Sequence, residues 1–349
     1  NFLRTFYFTA YGAYGFTDKD FKYMALTRIN LPHKNERWNS LQTYYRYDIR
    51  VPGQDESQTL LTFDNVVTLI SGKTFSKLMK VREFGISNDK DWFHDFSTLT
   101  SFTEKTYYDV PSVSNFSHEV NNVLLPVPQF NITEFGLQAR YSFNTLYTAG
   151  VFYRYFAVTK YPEFILNYTA GVGNIQKDYF NYHKLLLTIQ QRLYSPIGYT
   201  NYALQLGKIF GRAPYTVCYL TQGNLGVLLD KYNYNLLREF EFVNDQYAQL
   251  WIEHHFNGFF FNKIPGFNKL RLREVLIFKS LIGTFSKQNA NVLTVPTELS
   301  SPSHVPYIEL GFGIENIGYL FRVDFLWRAT YRNNGGQNWG VKLMLKPGF

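Results

Sequence analysis

Hydrophobic and polar positions alternate by parity near the end of the chain. Val323, Phe325, Trp327, Ala329 and Tyr331 share one parity, while Arg322, Asp324, Arg328, Thr330 and Arg332 hold the other, with Leu326 the exception. The pattern repeats beyond residue 338, where Trp339, Val341, Leu343, Leu345 and Phe349 oppose Lys342 and Lys346. Successive side chains of a strand point to opposite faces, so each run predicts a strand with one apolar side. Between them, Asn333-Asn334-Gly335-Gly336 tolerates positive φ and predicts a hairpin turn. In TEFGLQARYSF, Phe135, Leu137, Ala139, Tyr141 and Phe143 oppose Glu134, Gln138, Arg140 and Ser142. In HKLLLTIQQRL, Leu185, Leu187, Ile189 and Leu193 oppose Thr188, Gln190 and Arg192, and Leu186 breaks the pattern. Further strand-like segments lie at 2–16, 22–31, 38–51, 58–71, 94–110, 163–174, 197–210, 237–257, 270–284 and 307–316. Residues 112–129, with Pro111, Pro126 and Pro128 in or beside them, read as a long loop.

No helical period dominates any window, and no apolar run approaches the roughly 18 residues of a membrane-spanning helix. The class is all-β. Two architectures accommodate so many one-sided strands: a soluble sandwich and a transmembrane barrel. Aromatic residues make up 19% of the chain while the mean hydropathy is −0.23. That combination suits strands with one face in lipid and one in a wet lumen, with tyrosines at the interfaces. The polar parity holds Arg, Lys, Glu and Gln, which a packed core would accept only with partners. The expectation is one transmembrane antiparallel β-barrel domain over 1–349, of about 14–16 strands. Phe135, Leu137, Phe325 and Trp327 are then lipid-facing, and Arg140, Arg322 and Arg328 face the lumen. The first residues, Asn1-Phe2-Leu3, include neither an initiator Met nor a signal peptide. A barrel of the diderm outer membrane must be exported, so the chain is expected to be a mature form or the barrel portion of a longer precursor.

The net charge of +8 adds little. Basic residues are scattered along the strands without a helical stripe or an arginine-rich run, which argues against nucleic acid and fits anionic lipid headgroups or lipopolysaccharide. Cys218 is the single cysteine, so no intrachain disulfide framework forms. Glu253-His254-His255 is the most suggestive cluster, but on a strand His254 points away from Glu253 and His255. A lumen-facing Glu/His pair is the better reading than a metal site. Gly171-Val172-Gly173 and Gly311-Phe312-Gly313 lead into no helix, so they are strand glycines rather than phosphate loops. No spacing points to a catalytic set, a cofactor or a small-molecule substrate. The expectation is a non-enzyme.

The segment YNLLREFEFVNDQYAQLWIEHHFNGFFFNKIPGFNKLRLREV (234–275) is more specific than periodicity. With GRAPY (211–215), QGN (222–224), AYGFTDKDFKY (13–23), and PYIELGFGIENI and FRVDFLWR (306–328), it resembles the barrel of an uncharacterised outer-membrane family. Members of that family carry a small carboxypeptidase-regulatory-like β-domain before the barrel, and residues 1–349 are expected to be the barrel portion without it. More distantly, the C-terminal third is similar to the BamA/TamA assembly-factor superfamily. There, a strand ending in E-x-x-x-P precedes a buried strand with a late glycine, then G-x-G, R-x-D and a final strand ending in Phe. The corresponding positions here are Glu253 to Pro265, Val275 to Gly283, Gly311 and Gly313, Arg322 and Asp324, and Phe349. The resemblance implies a barrel whose first and last strands meet at a seam, with Arg322, Asp324 and Glu253 contacting a lumen loop. It also implies a role in or beside assembly or export of outer-membrane or surface proteins, with lipoproteins or other outer-membrane proteins as partners. The superfamily's Arg-Gly-aromatic loop motif is absent between Gly211 and Asp245, and no POTRA-like repeats precede the barrel. Tyr232, Tyr234 or Arg238 would have to anchor the loop instead. A passive channel or uptake barrel and an inert structural anchor are the alternatives.

The ending NWGVKLMLKPGF resembles the C-terminal sorting signal of outer-membrane barrels, with Gly340, Leu343, Leu345 and Phe349 as its residues. Deleting Phe349, or changing Leu343 and Leu345 to Asp, should lower the amount of heat-modifiable protein in the outer membrane. Normal levels of such variants would remove the signal from these residues.

Overall fold

The computed structural model describes residues 5–16, 19–31, 37–50, 53, 79–109, 116–120, 123–144, 146–152, 154–156, 158–296 and 299–345. Fourteen strands form one antiparallel sheet in which each strand pairs with the next. They are β1 (Phe6–Gly15), β2 (Asp20–Asn30), β3 (Asn39–Arg50), β4 (Met79–Asp91), β5 (Phe96–Tyr108), β6 (Gln129–Ser142) and β7 (Glu163–Ile175). There follow β8 (Asp178–Ser195), β9 (Gly198–Gly211), β10 (Gln246–His255), β11 (Arg273–Thr284), β12 (Tyr307–Ile317), β13 (Phe321–Arg328) and β14 (Trp339–Leu345). Among the described residues no ladder joins β1 to β14, so the expected closure at a first–last seam is not seen there.

Alternation is regular across this sheet. On β13, Arg322, Asp324, Leu326 and Arg328 are buried, while Phe325 and Trp327 are exposed. On β6 Phe135 and Leu137 are exposed and Arg140 is buried beside Glu163 of β7, with which it pairs. The two faces therefore differ chemically, with charge inside and aromatics outside. Gly313 illustrates how closely the inner face is packed. A Cβ there would collide with the Asp324 carboxylate, so the glycine leaves room for a buried charge on the neighbouring strand.

Buried side chains from β4 to β9 converge on one apolar cluster with residues of three loops. Met79, Val81, Phe130, Ile132, Ile175 and Phe180 meet Val217 and Leu220 of the 212–245 connection and Val292 and Leu293 of the 285–306 connection. Strands so far apart in the sheet order can share a cluster only if the sheet curls around it. The cluster caps the end from which the connections 109–128, 212–245 and 285–306 emerge. Interiors of this kind are packed solids, not water-filled spaces.

Several boundaries differ from the alternation pattern. Strand β4 was not apparent because Met79 and Val81 pack inward under the cap while Phe84 and Ile86 are exposed on the other face, leaving no one-sided stripe. Only the second half of 237–257 is a sheet strand. The first half returns from the interior as a loop that pairs Val243–Asn244 with Tyr219–Leu220. The 112–129 stretch contains a short strand pair, Ser117–Val120 with Val123–Pro126. The 58–71 segment and Phe349 lie outside the described residues.

Candidate functional site: a loop clamped inside the sheet

The connection between β9 and β10 does not extend away from the sheet. It folds against the inner face of β10–β14, and the buried charges Lys279, Glu309, Arg328 and Lys342 on that wall find partners in it. Arg328 donates to Glu241 through Nη2 at 2.5 Å and Nη1 at 3.2 Å, and both residues are buried. The guanidinium lies 5.0 Å from the ring centre of Tyr307, a cation–π contact that shields the pair further. Glu309 on β12 accepts the backbone N–H groups of Leu236 at 2.7 Å and Asn235 at 3.1 Å, and the Tyr307 hydroxyl at 2.8 Å. Lys279 on β11 donates to the carbonyls of Asp230 at 2.9 Å and Asn233 at 2.5 Å. Lys342 on β14 donates to those of Asn224 at 2.9 Å and Gly226 at 2.5 Å. Three strands thus supply ions that neutralise the loop's own backbone groups.

Aromatic packing completes the seat. Tyr234 is buried, stacks on Trp251 and meets Tyr307 edge-on, and its hydroxyl donates to the Ser280 carbonyl at 2.9 Å. Tyr219 donates to Gln249 at 2.6 Å. Phe242 and Leu237 join Tyr247, Leu281 and Tyr307 in a second apolar cluster. Burial pushes the Tyr219 and Tyr234 phenols upward, so both are neutral donors at any physiological pH. It also raises the thiol of Cys218, which is buried.

Arg322, Asp324 and Glu253 form a different unit. Arg322 Nε donates to both Asp324 oxygens at 2.9 Å, and its Nη1 to Glu253 at 2.7 Å. Glu253 lies 2.5 Å from His255 Nε2, and His255 Nδ1 lies 3.1 Å from Glu315. His254 points outward to the Thr200 hydroxyl at 2.8 Å. This network joins β10, β12 and β13 near the end opposite the apolar cap. The expectation that Arg322 and Asp324 contact the loop is therefore corrected. They bond to the wall, and the loop contacts lie two to three repeats of the strand pleat away, at Arg328 and, opposite it, Glu309. Of the three loop residues suggested as anchors, Tyr234 is buried in the seat. Tyr232 packs only edge-on against Trp251, and Arg238 contributes its backbone N–H to Glu241. In place of a loop arginine, the loop carries an acid and the wall carries the arginine.

The other sequence-predicted positions divide as follows. Phe135, Leu137, Phe325 and Trp327 are exposed on the outer face. Leu343 and Leu345 are exposed on β14, and Gly340 faces inward against Leu236 of the loop. Glu241, Lys279, Glu309 and Lys342 were not apparent as site residues. Parity alone assigns the last three to the inner face, but nothing in their spacing shows which loop they hold. Among the described residues no group of His, Cys, Asp or Glu is arranged to hold a metal.

Removing one partner of a buried ion pair leaves an uncompensated charge, at a cost of about 3–5 kcal/mol. Glu241→Ala should lower unfolding stability by that amount and expose 221–243 to protease in the folded protein. Replacing the pair with Glu241→Leu and Arg328→Met should recover most of the loss. Asp324→Ala should destabilise without changing the loop digestion pattern, because Asp324 bonds to Arg322 and not to the loop. Loop cleavage in Asp324→Ala equal to that in Glu241→Ala would contradict this division.

The fold is similar to that of BamA from Haemophilus ducreyi lacking POTRA domains 1–3, at TM-score 0.50 and 10% identity, over 97% of this chain and 70% of that one. A weaker likeness, at TM-score 0.30 and 8% identity over 97% of this chain and 90% of the other, links it to OccK11 (OpdR) of Pseudomonas aeruginosa. No curated protein sequence matches the chain. Residues 2–293 match the C-terminal domain of a family of unknown function, DUF5686, and the chain belongs to that family.

Proposed function

We propose that the chain is an integral outer-membrane β-barrel that acts in or beside the assembly or export of outer-membrane or surface proteins. It does so as a non-catalytic, cofactor-free subunit of an envelope complex. Its partners are outer-membrane lipid, lipopolysaccharide and other outer-membrane proteins or lipoproteins. The membrane part of this reading rests on the division between faces. By parity, the outward positions of β6–β14 carry formal charge only at Lys208 and Glu274, both near strand ends. The same strands place Glu163, Lys279, Glu309, Arg322 and Arg328 inward. Hydrocarbon accepts the first face and excludes the second. The longest of the described connections, 212–245, emerges at the capped end, and in such barrels the longer loops are on the extracellular side.

The assembly role is favoured over a passive channel by the filled interior. An apolar cap and an ion-clamped loop occupy the space that a conducting pore would leave to water. The likeness in fold to BamA supports the same choice. An inert anchor would share the filled interior, so the two are separated by what happens to other proteins. Depleting the chain in its native cell should lower the amounts of other folded outer-membrane or surface proteins. An unchanged outer-membrane protein profile would favour the anchor, and steady conductance in planar bilayers would favour the channel.

Depth along the strand gives a further test. Phe325 lies mid-way along β13, whereas Trp327 is one residue from its end, nearer the interface than its place in the alternation suggests. Phe325→Arg should therefore cost about 2–4 kcal/mol in a lipid-embedded unfolding measurement, and Trp327→Arg about 0–1 kcal/mol. Equal small costs at both positions would place this face in water.

A further inference from the structure

The last strand of the sheet has an edge that β13 does not cover, and the inner loop has reached it. Leu343 sits opposite Val323 of β13, yet its N–H donates to the Val227 carbonyl at 2.9 Å and its carbonyl accepts the Leu229 N–H at 2.7 Å. Both groups therefore point to the free edge of β14, where Leu228 pairs with Leu343 as a parallel bridge. Two bonds straddling one residue are the parallel ladder pattern in its shortest form. The same segment is fixed from the inner side, because Lys342 donates to the carbonyls of Asn224 and Gly226. Asn224 Nδ2 in turn donates to the Leu228 carbonyl at 2.6 Å, holding the segment in a compact turn. One strand is thus held by the loop both through its edge and through its inner face.

An unpaired strand edge takes up whatever extended backbone reaches it. The first strand is the other edge of this sheet: among the described residues its only ladder is with β2. Closing the barrel by a β1–β14 ladder through Leu343 would need the same N–H and carbonyl that now bind Val227 and Leu229. The two cannot coexist at that residue. An open groove of about 580 Å³, lined in part by Leu225, Val227, Trp339 and Val341, shows that the segment covers β14 at Leu343 but leaves the start of the strand uncovered.

We propose that residues 225–229 are an internal strand partner that latches the edge of β14, and that they compete with β1 for it. Lys342 is the residue that holds the latch in register. The proposal rests on the barrel reading and is independent of any role in assembly. A competent latch keeps the seam from zipping and keeps the exposed edge from pairing with a foreign strand. Release of one segment, rather than rupture of a full ladder, then decides whether the seam is open or closed.

Cysteine pairs read the two states in the full chain in native outer membranes, with Cys218→Ala as background. Leu228→Cys with Leu343→Cys reports the latch. Val341→Cys with Phe8→Cys, Ala10→Cys or Gly12→Cys reports the zipped seam. The latch pair should cross-link under mild oxidation in the heat-modifiable, folded population, and the seam pairs should not. Adding Lys342→Ala should lower the latch yield about tenfold, the effect expected for losing a charged hydrogen-bond donor, and raise a seam pair in return. Leu229→Pro, which removes the N–H that donates to Leu343 and fixes φ at 229, should shift the yields the same way and serves if Lys342→Ala folds poorly. A seam cross-link as the main product of the unmodified latch would overturn the proposal. So would a latch yield unaffected by both variants in folded protein.

Discussion

The contact on which the interior depends is the desolvated pair between Arg328 of β13 and Glu241 of the loop. Neither ion is tolerable alone in that position, and Tyr307 covers the guanidinium while the adjacent Glu309 holds the backbone of 235–236. A buried ion pair of this kind contributes little net stability compared with an apolar substitute. Its use is to specify one arrangement, since a loop displaced by even one residue would strand an arginine, a glutamate and two lysines without partners. The wall therefore selects a single seat for the loop, and the aromatic cluster of Tyr234, Trp251 and Tyr307 fills what the ions leave.

From that constraint follows the division of labour around the sheet. On β10–β14 the charge of the inner face is consumed by the loop at one end and by the Arg322–Glu253–His255–Glu315 network at the other, while Glu83, Lys105 and Arg140 pair with charges on neighbouring strands. A wet lumen lined by free charges was the natural expectation from alternation, because parity reports which side a residue faces and not what covers it. The apolar cap over β4–β9 completes the filling. On the outer face no such compensation is available, and nearly all of its strand positions are apolar, aromatic or uncharged polar. The two faces thus obey different solvents, one a packed protein interior and the other, on the proposed reading, hydrocarbon.

How much of this was legible in the sequence depends on how local the cause is. Strands with one solvent on each side, such as β6, β8 and β13, announce themselves by parity. Strand β4 does not, since its inner face turns apolar under the cap while Phe84 and Ile86 face out. The stretch Phe240-Glu241-Phe242 alternates like a strand but belongs to the returning loop, where its two phenylalanines pack inward around the clamped acid. The Glu253/His255 pair was visible because both residues lie on one strand at a spacing of two. The clamp was not, because Glu241, Lys279, Glu309 and Lys342 come from four separate segments and meet only through tertiary structure. Arg322 and Asp324 drew attention by their motif, yet they contact the wall.

Amide hydrogen exchange on the lipid-embedded protein tests the central claim most directly. If the loop is seated as described, the amides of Asn235 and Leu236, bonded to Glu309, should exchange as slowly as those of β12 itself. Exchange of 221–243 at the rate of an unstructured surface loop, while the strands remain protected, would contradict the account.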